Sequence, residues 1–436
     1  MINVNDFSAA TDSEQIEKAL AACSIANGGD GVLLIPPRCS KNQPQRQTWM
    51  LDRAILLPEN TTVILRNVKL KLSDACRDNF FRSANCGHSI TQVQPIRNIH
   101  IKGEGLCILE GADHPRATGD GGKILSNPCP KKPEDLLRLA DWISAEHRAA
   151  GVTSFDEEHD HSFGTDAGKP GEVPHGDWRG IGILFAMAED FSVENLTLVC
   201  THGWGISLEA CHRGKIQGIT FDSCMAKEID GLLNNMENQD GIDLRCGCSD
   251  ILVSDIFGGT GDDIVALTAI ATPDAQPRES GSYESTQILH NDWSRRERDI
   301  HDVIIRNIIG YSKGHLCCHV RLLAAECNIW NVVIDNVVDD SPEGFDSRAV
   351  LLLGEADGAY GRNLPGSIAN IAVSNILCNS ESAVLVNASV VKSSFTNIVN
   401  KNPECPVFRV TRPGCFEDNQ LTGIVTAGKD IILEKA

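Results

Sequence analysis

One short pattern recurs down this chain and limits the folds open to it: Asp or Asn, apolar, any residue, apolar, any residue, Asn, Asp or Gly, apolar. Copies are TVILRNV from Thr62 (Thr in the first position), NIHIKGE from Asn98 (without the last apolar residue), DFSVENL from Asp190, DILVSDI from Asp250, DVIIRNI from Asp302, NVVIDNV from Asn331 and NIAVSNI from Asn370. A degenerate copy, KIQGITF, starts at Lys215. The alternation inside each copy is that of a strand with one buried face, and the closing Asn, Asp or Gly tolerates the bend that ends it. A second strand-like segment follows most copies: GISLEA from Gly205, GIDLRC from Gly241, IVALTA from Ile264, LCCHVRLL from Leu316, AVLLLGE from Ala349 and AVLVNA from Ala383. Copies mostly start 25 to 39 residues apart, the size of one solenoid coil, and a coil buries its apolar face only against its neighbours. The pattern predicts an all-β fold: one right-handed parallel β-helix domain over residues 1–436. An antiparallel sandwich would carry two-residue hairpin turns between its strands, and these are largely missing.

An open coil end exposes unpaired strand edges, so a cap is expected at the N-terminus, over about residues 1–30. Thr11 and Glu14 have capping-box spacing, and Ile16, Ala19, Leu20 and Cys23 follow at helical intervals. GVLLIPP from Gly31 then reads as the first strand and its stop. Two gaps between copies are oversized and predict insertions at about 113–178 and 270–300. The first contains a predicted helix from Pro133 to Ala150, with Leu136, Leu139 and Ile143 on one face. The following stretch, with His159, Asp160, His161 and His175, reads as a solvated loop rather than a metal-binding tract. The second, polar insertion, Pro273 to Arg298, reads as an ordered loop.

Charge narrows the function. With 39 Lys+Arg against 59 Asp+Glu the net charge is −20, which repels phosphate backbones and anionic lipid alike, so no nucleic-acid or membrane partner is expected. No apolar run approaches the ~20 residues of a membrane helix. The polar start, Met1 to Asp12 with Asp6 and Asp12, lacks the pattern of a secretory signal, and the expected location is cytoplasmic. The 17 cysteines are odd in number and irregularly spaced, which predicts reduced thiols. Cys246 with Cys248, and Cys317 with Cys318 beside His315 and His319, invite a metal-site reading; a packing role is favoured, because free cysteine is a common small buried residue. No metal and no cofactor is expected.

Asn238-Gln239-Asp240-Gly241 opens one second-strand segment and Gly261-Asp262-Asp263 opens that of the next coil. Coils lie about 4.8 Å apart, so equivalent positions become lateral neighbours and the carboxylates gather. Crowded carboxylates do not all ionise freely, and the one that keeps its proton suits general acid catalysis.

With these motifs in place the chain resembles glycoside hydrolase family 28, the polygalacturonase-like β-helix enzymes, over most of its length. The opening NVNDFSAATDSEQIEKAL and GGDGVLLIPP is similar to theirs, and their Asn-x-Asp, Asp-Asp and Gly-His-Gly motifs match Asn238 to Asp240, Asp262 with Asp263, and Gly314-His315, which Leu316 follows here. The resemblance implies that Asp262 is the general acid, that Asp240 and Asp263 hold and deprotonate the attacking water, and that His315 tunes or orients the acid. It also implies an Arg-Ile-Lys motif in a later coil, where this chain has Ala349-Val350-Leu351-Leu352-Leu353. The usual clamp for a uronate carboxylate is thus missing, and a neutral sugar becomes plausible.

Candidate substrate-binding residues are Asn238, Trp204 one coil before Asp240, and Arg245, Arg321 and Arg348, with His202, His212, Glu209 and Trp178 as weaker groove candidates. Trp204 offers a flat face for a sugar ring, and equally suits a core. The expected function is a cofactor-independent inverting glycosidase that removes a terminal sugar from an oligosaccharide, possibly pectin-derived. The alternatives are a lyase or epimerase acting on a uronate, in which the aspartates hold Ca²⁺, and a non-catalytic glycan-binding solenoid. Oligomeric state is left open.

Overall fold

The structure is a computed structural model that describes residues 1–39, 45–74, 76, 78–86, 93–115, 117–118, 123–124, 180–229, 232–236, 238–270, 295–313, 317–342, 348–355, 361–428 and 431–434. The repeated motif forms one long parallel sheet. Its strands include Ala188–Val199, His212–Asp222, Ser249–Thr260, Ile300–Ser312, Ile329–Asp339 and Ile368–Cys378, each paired in parallel with the next. The second segments form an 11-stranded parallel sheet. Six of its strands matter below: β1 (Ile206–Glu209), β2 (Ile242–Arg245), β3 (Val265–Ile270), β4 (Cys318–Ala325), β5 (Ala349–Leu353) and β6 (Val384–Val386). In the 11-stranded sheet chain order is spatial order, and in the first sheet each coil pairs with the coils before and after it, so the fold is the parallel β-helix that the repeat predicts.

Both polar ends of the motif have a backbone reason. Asp250, Asp302, Asn331 and Asn370 at the first position, and Asp255, Asn307, Asn336 and Asn375 at the sixth, all adopt positive φ between 54° and 59°. Asn and Asp tolerate this left-handed conformation because their short polar side chains bond locally. Here they also bond along the stack: Asn336 Nδ2 donates to Asn307 Oδ1 at 3.0 Å, and Asn307 Nδ2 to Asp255 Oδ1 at 2.8 Å. The strand therefore does not end at the closing residue; it bends there and continues, so the strands outrun the motif that announced them. Apolar positions two, four and seven, such as Val332, Ile334 and Val337, are buried in one continuous core cluster.

The cap forms as expected. Helix α1 (Asp12–Cys23) starts at Thr11, whose hydroxyl accepts from Glu14 N at 3.2 Å, while Glu14 Oε2 reaches back to Ala10 N at 3.2 Å. Ile16, Ala19, Leu20 and Cys23 enter the core. Asp12 adds a tie that the spacing did not reveal: buried, it accepts from Arg38 Nε, Arg46 Nη1 and Met50 N, each at 2.8 Å, fastening the cap to the first coil.

The helix predicted at Pro133–Ala150, the His159 to His175 tract and Trp178 lie outside the described residues, as does nearly all of both insertions. Among the described residues no helix is long and apolar enough to cross a membrane. Two antiparallel pairs interrupt the parallel pattern among the described residues: Ala117–Thr118 with Lys123–Ile124, and, just before Asn238, the hairpin of Ala226–Ile229 with Leu232–Asn235. Asp230-Gly231 between its strands is the short sequence signal that announces it.

Candidate active site

Register assembles the site. Ile242 pairs with Val265 and Val265 with Val320. The ladder runs on upstream through Gly241 N to Asp263 O (2.8 Å) and Ile264 N to Cys318 O (3.1 Å). Asp240 therefore lies beside Asp263 and Asp263 beside Cys318, while Gln239, Asp262 and Cys317 form the preceding row. The approach is close: a Cβ on Gly241 would come within 2.4 Å of the Ile264 carbonyl oxygen, so only glycine fits between Asp240 and β2. Gln239, fully buried, is the pin of the turn. Its amide donates to Thr201 O at 2.7 Å and accepts from Met225 N at 3.0 Å, and its carbonyl receives Gly261 N at 2.9 Å. It was hidden as the unspecified middle residue of Asn-x-Asp.

The three aspartates sit in different surroundings. Asp263 is buried and receives Cys318 N at 2.7 Å, the Cys318 thiol at 3.1 Å and Arg321 Nη1 at 3.3 Å; Arg321 Nη2 also holds Glu355 at 2.9 Å. Every one of these partners is a donor, and a carboxylate accepts them all. Burial, then the neighbouring Asp263, pushes Asp262 up to about 6, opposed by a hydrogen bond from the Cys317 thiol and by Arg321. Burial, followed by Asp262, Asp243 and Asp263, pushes Asp240 well above the usual carboxylate range, again opposed by Arg321. Between them Asp240 and Asp262 hold a proton to pH values at which an exposed aspartate has lost it. If Asp262 is the proton donor, kcat/KM should fall as pH rises through about 6, because the acid is then deprotonated; a rate that stays level from below that value to pH 8 would contradict the assignment.

The substrate-binding candidates fare unevenly. Arg321 reaches the site, but through Asp263 and Glu355. Trp204 is 9% exposed, packs with Ile181, Leu184 and Ala210, and carries the Arg245 guanidinium 4.7 Å from its ring centre. It is thus a packing residue whose face Arg245 already occupies, not an open sugar platform, and that cation–π contact accounts for both residues at once. Asn238 stands at the turn with φ +48°, one of the strained left-handed positions near the site. Arg348 precedes β5, its carbonyl accepting from Ser382 Oγ at 3.3 Å. His315 lies outside the described residues. His202 is buried, accepts from Ala112 N at 2.9 Å through Nε2, and is pushed down to about 3 by burial, so it serves the fold. His212 belongs to the other sheet, where it bonds Ser249 Oγ at 2.9 Å, which removes it from the groove.

The Cys/His neighbours take different partners. Cys317 faces Asp262, Cys318 bonds Asp263, and His319 turns inside to Gly310 O at 2.9 Å. Among the described residues, Asp262, Asp263 and Cys317 are the group able to converge on a metal ion, with ligand atoms within 4.8 Å of one another. Ser207, Glu209, Asp243 and Arg245 alternate with core residues and so point away from the core, yet all are buried.

No family model and no curated protein matches this chain. Solved structures do. PfbA, a surface adhesin of Streptococcus pneumoniae, aligns over 100% of this chain and 91% of its own at 11% identity and a TM-score of 0.51. A hyperthermoactive exopolygalacturonase from Thermotoga maritima aligns over 100% and 91% at 14% identity and a TM-score of 0.48. The A-module of a mannuronan C-5 epimerase from Azotobacter vinelandii aligns over 100% of both chains at 10% identity and a TM-score of 0.45. At such low identity the likeness speaks for the fold alone, and the site must speak for the chemistry.

Proposed function

We propose that this chain is an inverting glycoside hydrolase that removes a terminal sugar from a short oligosaccharide. The observation that carries the reading is the lateral convergence of Asp240, Asp262 and Asp263 with a proton retained on the Asp240/Asp262 pair. Asp262 donates its proton to the glycosidic oxygen as the bond to the anomeric carbon breaks. With the shared proton on Asp262, Asp240 is ionised; a water held by Asp240 and Asp263 attacks that carbon from the opposite face and passes one proton to Asp240. Both oxygens of Asp263 are engaged, by Cys318 and Arg321, which favours water over a carboxylate as the nucleophile. The Cys317 thiol, bonded to Asp262, positions the acid.

The exo part of the reading takes the site as a pocket rather than an open cleft, because a pocket accepts a chain end. Digestion of defined neutral and acidic oligosaccharides, followed by chromatography and by NMR of the fresh product, tests the whole reading. Monosaccharide should appear first, with inverted anomeric configuration. A ladder of internal fragments would defeat the exo assignment, and retained configuration the inverting one. An unsaturated product absorbing in the ultraviolet would mean a lyase, and binding without turnover a glycan-binding solenoid.

A further inference from the structure

The charges around the carboxylates are unusually one-sided. Asp240, Asp243, Asp262 and Asp263 crowd the end of β2 and β3, and Glu355 stands behind Arg321. Arg321 is the cation that acts on both Asp240 and Asp262, and its two terminal nitrogens already serve Asp263 and Glu355. Among the described residues of this outward face, Arg245 lies over Trp204, and Arg82 and Arg409, farther along the row that holds Arg321, pair with Asp78 and Glu381. Farther out, Lys227 and Lys313 bond the backbone carbonyls of Ala112 and Ser223. On the far side of β4 the stack turns apolar. Leu352 is in register with Arg321 and Leu385 with Leu352, and with Cys318 and Ala349 they form a buried cluster.

A sugar carboxylate brought to this place meets carboxylates on one side, apolar side chains on the other, and guanidiniums with prior partners. Among the described residues it would lose its hydration without gaining a charge-assisted bond. Sugar hydroxyls have the opposite fit, since each donates to a carboxylate. We infer that the residue whose anomeric carbon is attacked is a neutral sugar, a hexose or deoxyhexose, and not a uronate. The inference rests on the hydrolase reading for where the sugar sits, and concerns that one residue; neighbouring residues of the substrate are free to be acidic.

Matched oligosaccharide pairs test it, each with a terminal uronic acid in one member and the carboxyl-reduced hexose in the other, in galacto, gluco and manno series, alongside a rhamnose-terminated oligosaccharide. Binding to wild type and to Asp262→Asn is measured by calorimetry, and cleavage by wild type is measured by product release. In at least one series, or with the rhamnoside, a neutral member should bind and be cleaved, with kcat/KM at least ~100-fold above any uronate. Raising salt should narrow the gap by screening the repulsion. A uronate bound or cleaved as well as its neutral partner would overturn the inference, and so would failure of every neutral member to bind. Neutral members bound but left intact would uphold it while overturning the hydrolase reading.

Discussion

Asp262→Asn should lose roughly 10³-fold or more of kcat/KM, at the upper end of what general acid catalysis supplies, while the protein becomes more stable. The two effects have one origin. Asp262 is pushed up to about 6 in the folded chain, so between the ordinary aspartate value and that pH the folded form holds a proton the unfolded form has released. Folding stability therefore falls as pH rises across that window and stays reduced above it, which is the sign for a raised carboxyl pKa. An amide of the same shape carries no charge and escapes this cost, so at pH 7 the variant should gain on the order of 1–3 kcal/mol. Asp240→Asn, buried more deeply among Asp262, Asp243 and Asp263, should act in the same two directions. Thermal melts at pH 4 and pH 7 beside initial rates separate this from a packing defect, which would lower activity and stability together. Full activity in both variants would end the catalytic assignment.

Ile334→Asp should unfold the solenoid. Ile334 is 0% exposed and lies in the ladder between Ile305 and Val373, at the fourth position of its motif copy. The substitution removes a buried side chain worth several kcal/mol and leaves a carboxylate among apolar neighbours. Coil-to-coil burial provides the stability, so the damage should spread along the stack, with a loss of ~4 kcal/mol or more in denaturant titration and loss of the β-rich far-UV spectrum. The adjoining Val333 points the other way and is 39% exposed, so Val333→Asp should cost less than ~1 kcal/mol. Equal tolerance of the two changes would mean that inward and outward faces had been assigned wrongly.

The repeat was legible because it is a backbone property. Alternation decides which face of a strand is buried, and Asn or Asp at both ends of the motif supplies residues able to adopt positive φ, so strand, face and bend follow from local spacing. Coil stacking then converts a difference of about one coil in sequence into lateral contact, which is why Asp240, Asp262 and Asp263 were foreseen together from Asn238-Gln239-Asp240 and Asp262-Asp263 alone. The capping helix was legible for the same reason: Thr11 and Glu14 bond within one turn.

What the tertiary structure decided was which partner each side chain takes. Arg321 could have met a substrate carboxylate; in the fold Asp263 and Glu355 reach it first, and Glu355 arrives from a different coil. Trp204 and Arg245 each suited a sugar separately, until the folded side chains laid the guanidinium over the ring. Cys317, Cys318 and His319, adjacent in sequence, part in the fold: the two thiols go to Asp262 and Asp263 and the imidazole to Gly310 O. Backbone ladders repeat with the motif and so are written in it, whereas charge pairing and ring contacts depend on rotamers and on distances between coils, which no local spacing encodes.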